Sequence, residues 1–453
     1  MSNKQVVQEI LQREDAFRGW LIDPAARRRS IALNMRRQAE YLLSGNDDPG
    51  DLLSRAATLV YLLARGADDS DAVPDDTYSG FASIVVQALA NQGAGSEFGR
   101  HDLVVQSIDA AIERVRRSGG SATALLVAKA RYLSYAQNES SIRLATLRQA
   151  EGVATGDDLL RVRYTLTWYF IDASRYRRAI RLCDKSIEDA RRDNSLKWVI
   201  GFTTNRGIAR YTTLNDPAAA RLDLEAAVAM SGRIRNDADI NRFLSDALHY
   251  LGRCNLDDGN VRGSLEHYVM AQKYKDQIPF ESRAVAYYHV RMAEALTGAG
   301  NHNHAREHMD TAKAYLDRVG DTGAASVSYN YALANTYMVQ GDSASALAIL
   351  HKCARDAAAC KFSRGRLLAL ARIFTISVQC RDFTRAVLTL FRAVPLLFNG
   401  ELRRNSLLAI IARFRRYALH VFRPYGSIAA GGALNVVCPC PIHSLSHQSD
   451  VDA

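Results

Sequence analysis

The hydrophobic positions of the chain recur with the 3.6-residue period of amphipathic helices, and short polar turns separate the periodic segments. These segments come in pairs. An apolar-periodic stretch is followed by a short turn containing Gly, Asn or Asp, and then by a second stretch rich in small residues, as in "LTWYFIDASRYRRAIRLCDKSI" and "LHYLGRCNLDDGNVRGSLEHYVMA". The pattern predicts an all-α chain built from helical hairpins.

The hairpins repeat about every forty residues, a period typical of helical repeat proteins. A small residue follows each turn, at Ala179, Ala220, Ser264, Ala305, Ala346 and Ala386, with spacings of 41, 44, 41, 41 and 40. Four residues later come Cys183, Leu224, Tyr268, Met309, Leu350 and Leu390; seven residues later come Ser186, Ala227, Ala271, Ala312, Cys353 and Ala393. Offsets of four and seven share one helix face, so these positions are predicted to pack against the partner helix.

This arrangement resembles the tetratricopeptide repeat (TPR), whose second helix carries small, bulky and small residues at these offsets. The best match is "LGRCNLDDGNVRGSLEHYVMA", in which Leu251 and Gly252 stand where the first helix of the repeat expects them. The spacing exceeds the usual repeat of about 34 residues, which indicates longer helices or turns. The resemblance implies a right-handed α-α superhelix with helical caps.

The pattern divides the chain into four parts. Residues 1–90 are helical in pattern but lack the repeat and contain the turn-rich stretches "SGNDDPGD" and "GADDSDAVPDDTYSG", which predicts a helical cap or a small bundle. Residues 91–400 form the repeat superhelix. Residues 401–425 are predicted to be an amphipathic capping helix, since a terminal repeat otherwise exposes its apolar face. Residues 426–453 form a flexible tail containing Cys, Pro and His.

Composition is that of a globular protein, with 48% hydrophobic and 23% charged residues. The net charge of +10 is modest for 453 residues, so most of it is expected on solvated helix faces. The N-terminal stretch lacks the apolar region of a signal peptide, and no segment of the sequence is long and apolar enough to span a membrane. A cytoplasmic protein is therefore expected. Five cysteines lie in helical pattern and are predicted to be small buried hydrophobic residues: Cys183, Cys254, Cys353, Cys360 and Cys380.

The resemblance to TPR proteins implies that a ligand lies against the first helices of the hairpins, which line the concave face. The family's ligand-facing positions correspond here to Arg161, Tyr164, Trp168, Phe202, Asn205, Thr212, Asp246, His249, Arg253, Tyr287, Glu294, Tyr331, Asn335 and Met338. Amide side chains can both donate to and accept from a peptide backbone, and aromatic side chains fill pockets. The set therefore predicts a groove for a peptide or protein partner.

Bacterial TPR regulators that sense short signalling peptides are similar in outline, with a helical N-terminal region before units of about forty residues. The N-terminal sequence here shows no convincing helix-turn-helix motif, so a DNA-binding member of that group is not expected. The resemblance implies a non-catalytic, regulatory protein of this kind. The sequence contains no phosphate-binding loop and no nucleophile constellation that would argue for an enzyme. No cofactor is expected.

Two alternative functions follow from local motifs. His304, Glu307 and His308 match H-x-x-E-H, an inverted zinc-protease motif, which would make the chain a metal-dependent hydrolase. Because Ala305 is also the small residue of a repeat, the same stretch is expected to begin an ordinary second helix. The arginine-rich helix 401–424 would instead suit an adaptor that binds nucleic acid or a membrane surface.

The tail "AAGGALNVVCPCPIHSLSH" admits four interpretations. Cys438, Cys440, His443 and His447 have the ligand types of a zinc site, although C-x-C is tighter than the usual knuckle. The double glycine at Gly431 resembles a cleavage boundary for a secreted peptide. The tail could also occupy the groove of its own chain. An unpacked terminus without a specific function is the expectation retained here.

Overall fold

The computed structural model describes residues 101–117, 119–133, 140–173, 175–213, 217–234, 237–275, 282–318, 323–360 and 362–398. The regular secondary structure in these ranges is entirely α-helical. In chain order the helices are α1 His101–Arg117, α2 Thr123–Leu133, α3 Ser140–Val153, α4 Gly156–Asp172, α5 Tyr176–Arg192, α6 Leu196–Thr213, α7 Pro217–Ser231, α8 Ala238–Asp257, α9 Val261–Lys275, α10 Ser282–Gly298, α11 His302–Arg318, α12 Ala324–Val339, α13 Ser343–Ala359, α14 Ser363–Gln379 and α15 Phe383–Phe398.

The chain forms two compact units. The first contains the described residues up to Leu166, and the second contains those from Thr167 onward apart from Ser282 and Arg318. Within the first unit, α1 packs on α2 and α2 packs on α3. Within the second, α6 packs on α5 and α7, α8 packs on α7 and α9, α13 packs on α12 and α14, and α14 packs on α15. The first helices of neighbouring hairpins also touch, as α6 does α8 and α12 does α14. The predicted all-α superhelical repeat is confirmed.

The small residues that define the repeat lie at the closest helix contacts. All six, from Ala179 to Ala386, are at most 3% exposed. The positions four and seven residues later are also buried, except that Leu390 is half-buried. The predicted packing face of each second helix is therefore confirmed, and burial of this apolar stripe is the main stabilising contribution of each hairpin.

A common turn joins the helices of the last four hairpins. Its central residue has positive φ, with values of 80° at Gly259, 80° at Gly300, 81° at Gly341 and 58° at Arg381. The next residue donates its N–H to the carbonyl five positions back, as Asp342 does to Tyr337 at 2.9 Å. This pattern is the Schellman ending of a helix, in which glycine avoids the steric penalty of positive φ.

The turn also starts the second helix. The Asp342 carboxylate accepts a hydrogen bond from the Ser345 N–H at 3.0 Å. The Ser345 side chain, and after it this N–H, lower the pKa of Asp342 because hydrogen bonds to the carboxylate stabilise its charged form. The side chain of Asp382 caps α15 in the same way, with its oxygen 3.0 Å from the Arg385 N–H. Short polar turns thus end one helix and begin the next.

Opposite substitutions at this turn should change stability in opposite directions. We expect Gly300→Ala to lower the free energy of unfolding by about 1 kcal/mol, because a side chain at positive φ is sterically strained. Arg381→Gly should raise it by roughly 0.5 kcal/mol, because relief of that strain exceeds the greater chain entropy of glycine. Urea unfolding followed by circular dichroism measures both, and a shift of both variants in the same direction would contradict the prediction.

The cysteine prediction holds for three residues and is wrong for one. Cys183, Cys254 and Cys353 are buried, whereas Cys360 is half-buried and Cys380 is exposed. Cys380 is exposed because it occupies the C-cap of α14, where the chain turns toward solvent. Burial raises the pKa of the Cys254 and Cys353 thiols to about 12, so both remain protonated and unreactive at neutral pH.

The last described helix presents an apolar face to solvent. Phe383, Val387, Leu388 and Phe391 of α15 are each more than half exposed. The predicted capping helix at 401–425 lies outside the described residues, as do the N-terminal region 1–90 and the tail 426–453. Those three assignments stay predictions. None of the helices within the described ranges combines the length and apolar character that a membrane crossing demands.

Candidate functional site

The second unit contains a cavity of about 80 Å³ on its first-helix side. Tyr211 of α6 and Tyr268 of α9 contribute to its wall, together with charged or amide residues from four successive first helices. These are Arg253 and Asp257 of α8, Arg291 and Glu294 of α10, Asn335 of α12, and Arg364 and Arg372 of α14. The volume suits the end group of a ligand rather than a whole drug-sized molecule.

Buried polar contacts fix the α10, α12 and α14 side of the cavity. Arg372 donates through Nε to Asn335 Oδ1 at 3.1 Å, and both side chains are at least 95% buried. Arg291 donates through Nη1 to the carboxylate of Glu294, its neighbour one turn along α10. Because these groups are held away from bulk water, their interactions with a ligand would be stronger than at an exposed surface.

Tyr211 organises the opposite side of the cavity. Two guanidinium groups lie over its ring, with Cζ of Arg253 at 5.1 Å and Cζ of Arg364 at 5.4 Å from the ring centroid. Its hydroxyl donates to Asp257 Oδ2 at 2.8 Å. Burial raises the pKa of Tyr211 well above its ordinary value, so the hydroxyl stays neutral and keeps this donor role.

Four of the residues predicted from the TPR resemblance line this cavity: Arg253, Glu294, Tyr331 and Asn335. They come from three different hairpins, and the fold brings them together. They include one residue of each charge, an amide and an aromatic ring. The sequence pattern therefore identified one residue or more on three of the four helices that supply the polar wall.

The other predicted groove residues do not line this cavity. Phe202 is fully buried and packs on Trp198, with ring centroids 6.2 Å apart, so it belongs to the core. His249 is half-buried beside the Tyr250 and Tyr268 rings. The remaining residues lie on α4, α6, α8, α10 and α12 as follows: Arg161, Tyr164, Trp168, Asn205, Thr212, Asp246, Tyr287 and Met338.

Several of these differ in burial from the exposed groove face that the resemblance implied. Asn205 and Thr212 are nearly completely buried, and Tyr164 is 7% exposed. Arg161 forms an ion pair with Asp157 across one helical turn, at 3.6 Å. Trp168, Asp246, Tyr287 and Met338 are half-buried. Their role in binding stays a prediction.

Sequence reasoning missed the arginines on α14. Arg364 precedes and Arg372 follows the apolar run "LLALA", in a hairpin to which the TPR positions were not transferred. Arg364 is 7% and Arg372 is 4% exposed. A usable signal was present, because arginines spaced within an otherwise apolar first helix are rarely fully buried without a partner or ligand. The same signal marks Arg291, in "HVRMAEALTG" of α10.

The H-x-x-E-H residues begin α11, as expected of a second helix, and the two histidines have different partners. His308 is 2% exposed, and its Nδ1 lies 2.7 Å from Nδ1 of the buried His289. His304 Nδ1 lies 2.7 Å from the side-chain nitrogen Nδ2 of Asn301, and Glu307 is exposed. Within the part of the chain described by the structure, no three His, Cys, Asp or Glu side chains cluster as metal ligands. The weak tail candidates Cys438, Cys440, His443 and His447 lie outside that part.

Comparison with known proteins identifies the fold. No protein-family model and no curated protein matches the chain. Among solved structures, a Rap protein complexed with competence and sporulation factor is similar with a TM-score of 0.54 and 10% sequence identity, covering 86% of this chain and 99% of that chain. A circular tandem repeat protein with a novel repeat topology aligns at a TM-score of only 0.18 and 11% identity, covering 95% of this chain and 98% of that one. The first likeness supports a helical repeat fold.

Proposed function

We propose that this protein is a non-catalytic regulatory scaffold that binds a peptide, or an extended segment of a protein partner, on the first-helix face of its second unit. The observation that carries the proposal is the cavity shared by α8, α10, α12 and α14, in which buried charged and amide groups project from one hairpin after another.

An extended peptide suits this arrangement for a physical reason. Its backbone offers a donor and an acceptor at every residue, and a row of repeats offers polar side chains at regular intervals. The buried Asn335 supplies an amide, while Tyr331 supplies an aromatic surface beside it. The Rap protein of the similar structure was captured with a bound factor, and a comparable use of the repeat scaffold is proposed here. The cytoplasmic location expected from the sequence is part of this proposal.

The proposal predicts that a buried amide in the cavity is needed for binding. The full chain is titrated into fluorescein-labelled pools of synthetic hexapeptides, and fluorescence anisotropy gives the dissociation constants. We expect Asn335→Ala to weaken binding about tenfold or more, because loss of one buried hydrogen-bonding group is worth roughly 1–3 kcal/mol. Asn303→Ala removes the same side chain from an exposed position on α11 and should leave the constants unchanged.

Two results would count against this function. Equal weakening by Asn335→Ala and Asn303→Ala would show that the effect does not come from the cavity. No binding of any pool to the wild-type chain at millimolar protein would remove the proposal. Circular dichroism of both variants at the assay temperature separates a binding defect from misfolding. Asn335→Ala loses a buried bond to Arg372, so it should melt at a lower temperature than the wild type even when its fold is intact.

A further inference from the structure

Arg364 carries buried hydrogen-bond donors that have no acceptor within the described part of the chain. Its side chain lies in the cavity wall and is only 7% exposed. Nη1 donates a long bond to Thr212 Oγ1 at 3.4 Å. Nε and Nη2 have no hydrogen-bond partner among the described residues. A guanidinium buried with donors unfilled is unfavourable by several kcal/mol in principle, so this site calls for an acceptor.

The charges around Arg364 show that the acceptor should be anionic. Four guanidinium groups line the cavity against two carboxylates. Both carboxylates already accept hydrogen bonds, Asp257 from Tyr211 and Glu294 from Arg291. The guanidiniums of Arg253 and Arg364 share one tyrosine ring. An anion placed beside Arg364 would relieve the repulsion between them, which a neutral ligand could not do.

The start of α14 adds a second attraction for an anion. The N-cap residue of this helix is Phe362, which makes no side-chain capping bond. The first turn of a helix has N–H groups without intrahelical partners and the positive end of the helix dipole. Gly365 of this turn lines the cavity, and a Cβ there would overlap the Phe362 ring, so the lack of a side chain lets Phe362 pack directly on the backbone of this turn.

The size of the cavity, about 80 Å³, limits the anion to a small group. A carboxylate is the anion that an unmodified peptide carries, at its chain terminus and on its acidic side chains. A carboxylate matches the planar fork of an arginine and can accept two parallel hydrogen bonds from it.

We propose that this cavity binds a carboxylate of the peptide ligand, supplied either by the chain terminus or by an acidic side chain, with Arg364 as the residue that contacts it. The inference rests on the proposed peptide-binding function. It adds the chemical identity of the group that enters the cavity.

The test compares four hexapeptide pools on the full chain by fluorescence anisotropy: free C-terminal acids, the same sequences amidated, and amidated pools with one position fixed as Glu or as Gln. We expect one carboxylate-bearing pool to bind about tenfold or more tightly than its neutral counterpart, as for a charge-assisted, partly buried pair. A preference for the free acids assigns the chain terminus. A preference for Glu over Gln assigns a side chain.

Variants then tie the preference to Arg364. Arg364→Gln should abolish the difference between charged and neutral pools, and Arg364→Lys should keep part of it, because lysine retains the charge without the fork. Arg366→Gln removes an arginine from the same helix that does not line the cavity, and it should leave the preference intact. If Arg364→Gln does not fold, as judged by circular dichroism, the Arg364→Lys variant provides the test. A weakened preference for the charged pools then supports the assignment to Arg364, and an unchanged preference overturns it.

The possible failures are distinguishable. Equal binding of charged and neutral pools overturns the carboxylate inference and leaves peptide binding standing. A preference that survives in Arg364→Gln overturns the assignment to this residue. Tighter binding of an added phosphoserine pool than of the Glu pool shows that the site accepts a dianion and overturns the choice of carboxylate. No binding of any pool overturns this inference and the proposed function together.

Discussion

Asp223→Ala should lower the free energy of unfolding by about 3 kcal/mol, because Asp223 is a buried carboxylate with two arginine partners. Asp223 is the centre of an ion-pair network between α6 and α7. It accepts from Arg206 Nε at 3.0 Å, from Arg206 Nη2 at 2.7 Å and from Arg210 Nη1 at 2.7 Å. Its side chain is 8% exposed and the arginines are 23% and 29% exposed, so removing it leaves two partly buried cations without their main acceptor.

The magnitude lies at the low end of losses for buried pairs, because Arg206 keeps a second bond to Asp184 at 2.8 Å and both arginines reach solvent. Urea unfolding measures the change. Hydrogen exchange should show that loss of protection is concentrated in α5 to α7.

The matched control is Asp258→Ala. Asp258 also pairs with an arginine, Arg221 at 2.6 Å, but its side chain is 63% exposed. A screened surface pair contributes less than about 1 kcal/mol. If both aspartate variants lost the same stability, burial would not be the reason for the importance of Asp223.

Gly252→Val should have a comparable effect, about 3 kcal/mol, through overpacking. A Cβ at Gly252 would lie 2.5 Å from Cε1 and 2.7 Å from Cδ1 of Tyr268, whose ring is completely buried between α8 and α9. Such distances are far inside van der Waals contact. Either the ring or the helix must move, and the loss exceeds the small gain in helix propensity that valine has over glycine.

Gly152→Val provides the comparison, since a Cβ at Gly152 meets nothing within 4 Å. We expect this variant to be as stable as the wild type or slightly more so, by chemical unfolding. Because Tyr268 also lines the cavity, Gly252→Val should weaken ligand binding in addition. Equal stability of the two valine variants would contradict the close packing of α8 on α9.

The repeat could be predicted from the sequence because its signal is local. A buried helix face reveals itself through small residues at fixed offsets, and every one of the six from Ala179 to Ala386 proved buried. The error at Cys380 has the same origin. Helical periodicity extends to the end of a helix, while burial stops where the chain turns, and a sequence window cannot place that boundary to the residue.

The candidate site was only partly predictable because it depends on which repeats face one another. Asn335 and Glu294 were found through the TPR register. Arg364 was not found in this way, since it lies one helical turn before the positions of α14 that the TPR register would mark. Its surroundings come from α6, α8 and α12 as well as its own helix. Whether a buried arginine has a carboxylate, an amide or an unfilled donor beside it is a property of tertiary structure.

The bond from Arg364 to Thr212 has a consequence for how the array unfolds. In most repeat arrays each unit touches only its neighbours, so the end units fray first and stability is nearly additive. Here a side chain of α14 contacts α6, 152 positions earlier in the chain. Fraying of the last hairpin therefore breaks contacts in a hairpin near the other end of the unit. The cavity walls are drawn from both, and an occupant would make melting of this whole stretch more cooperative than a nearest-neighbour array allows.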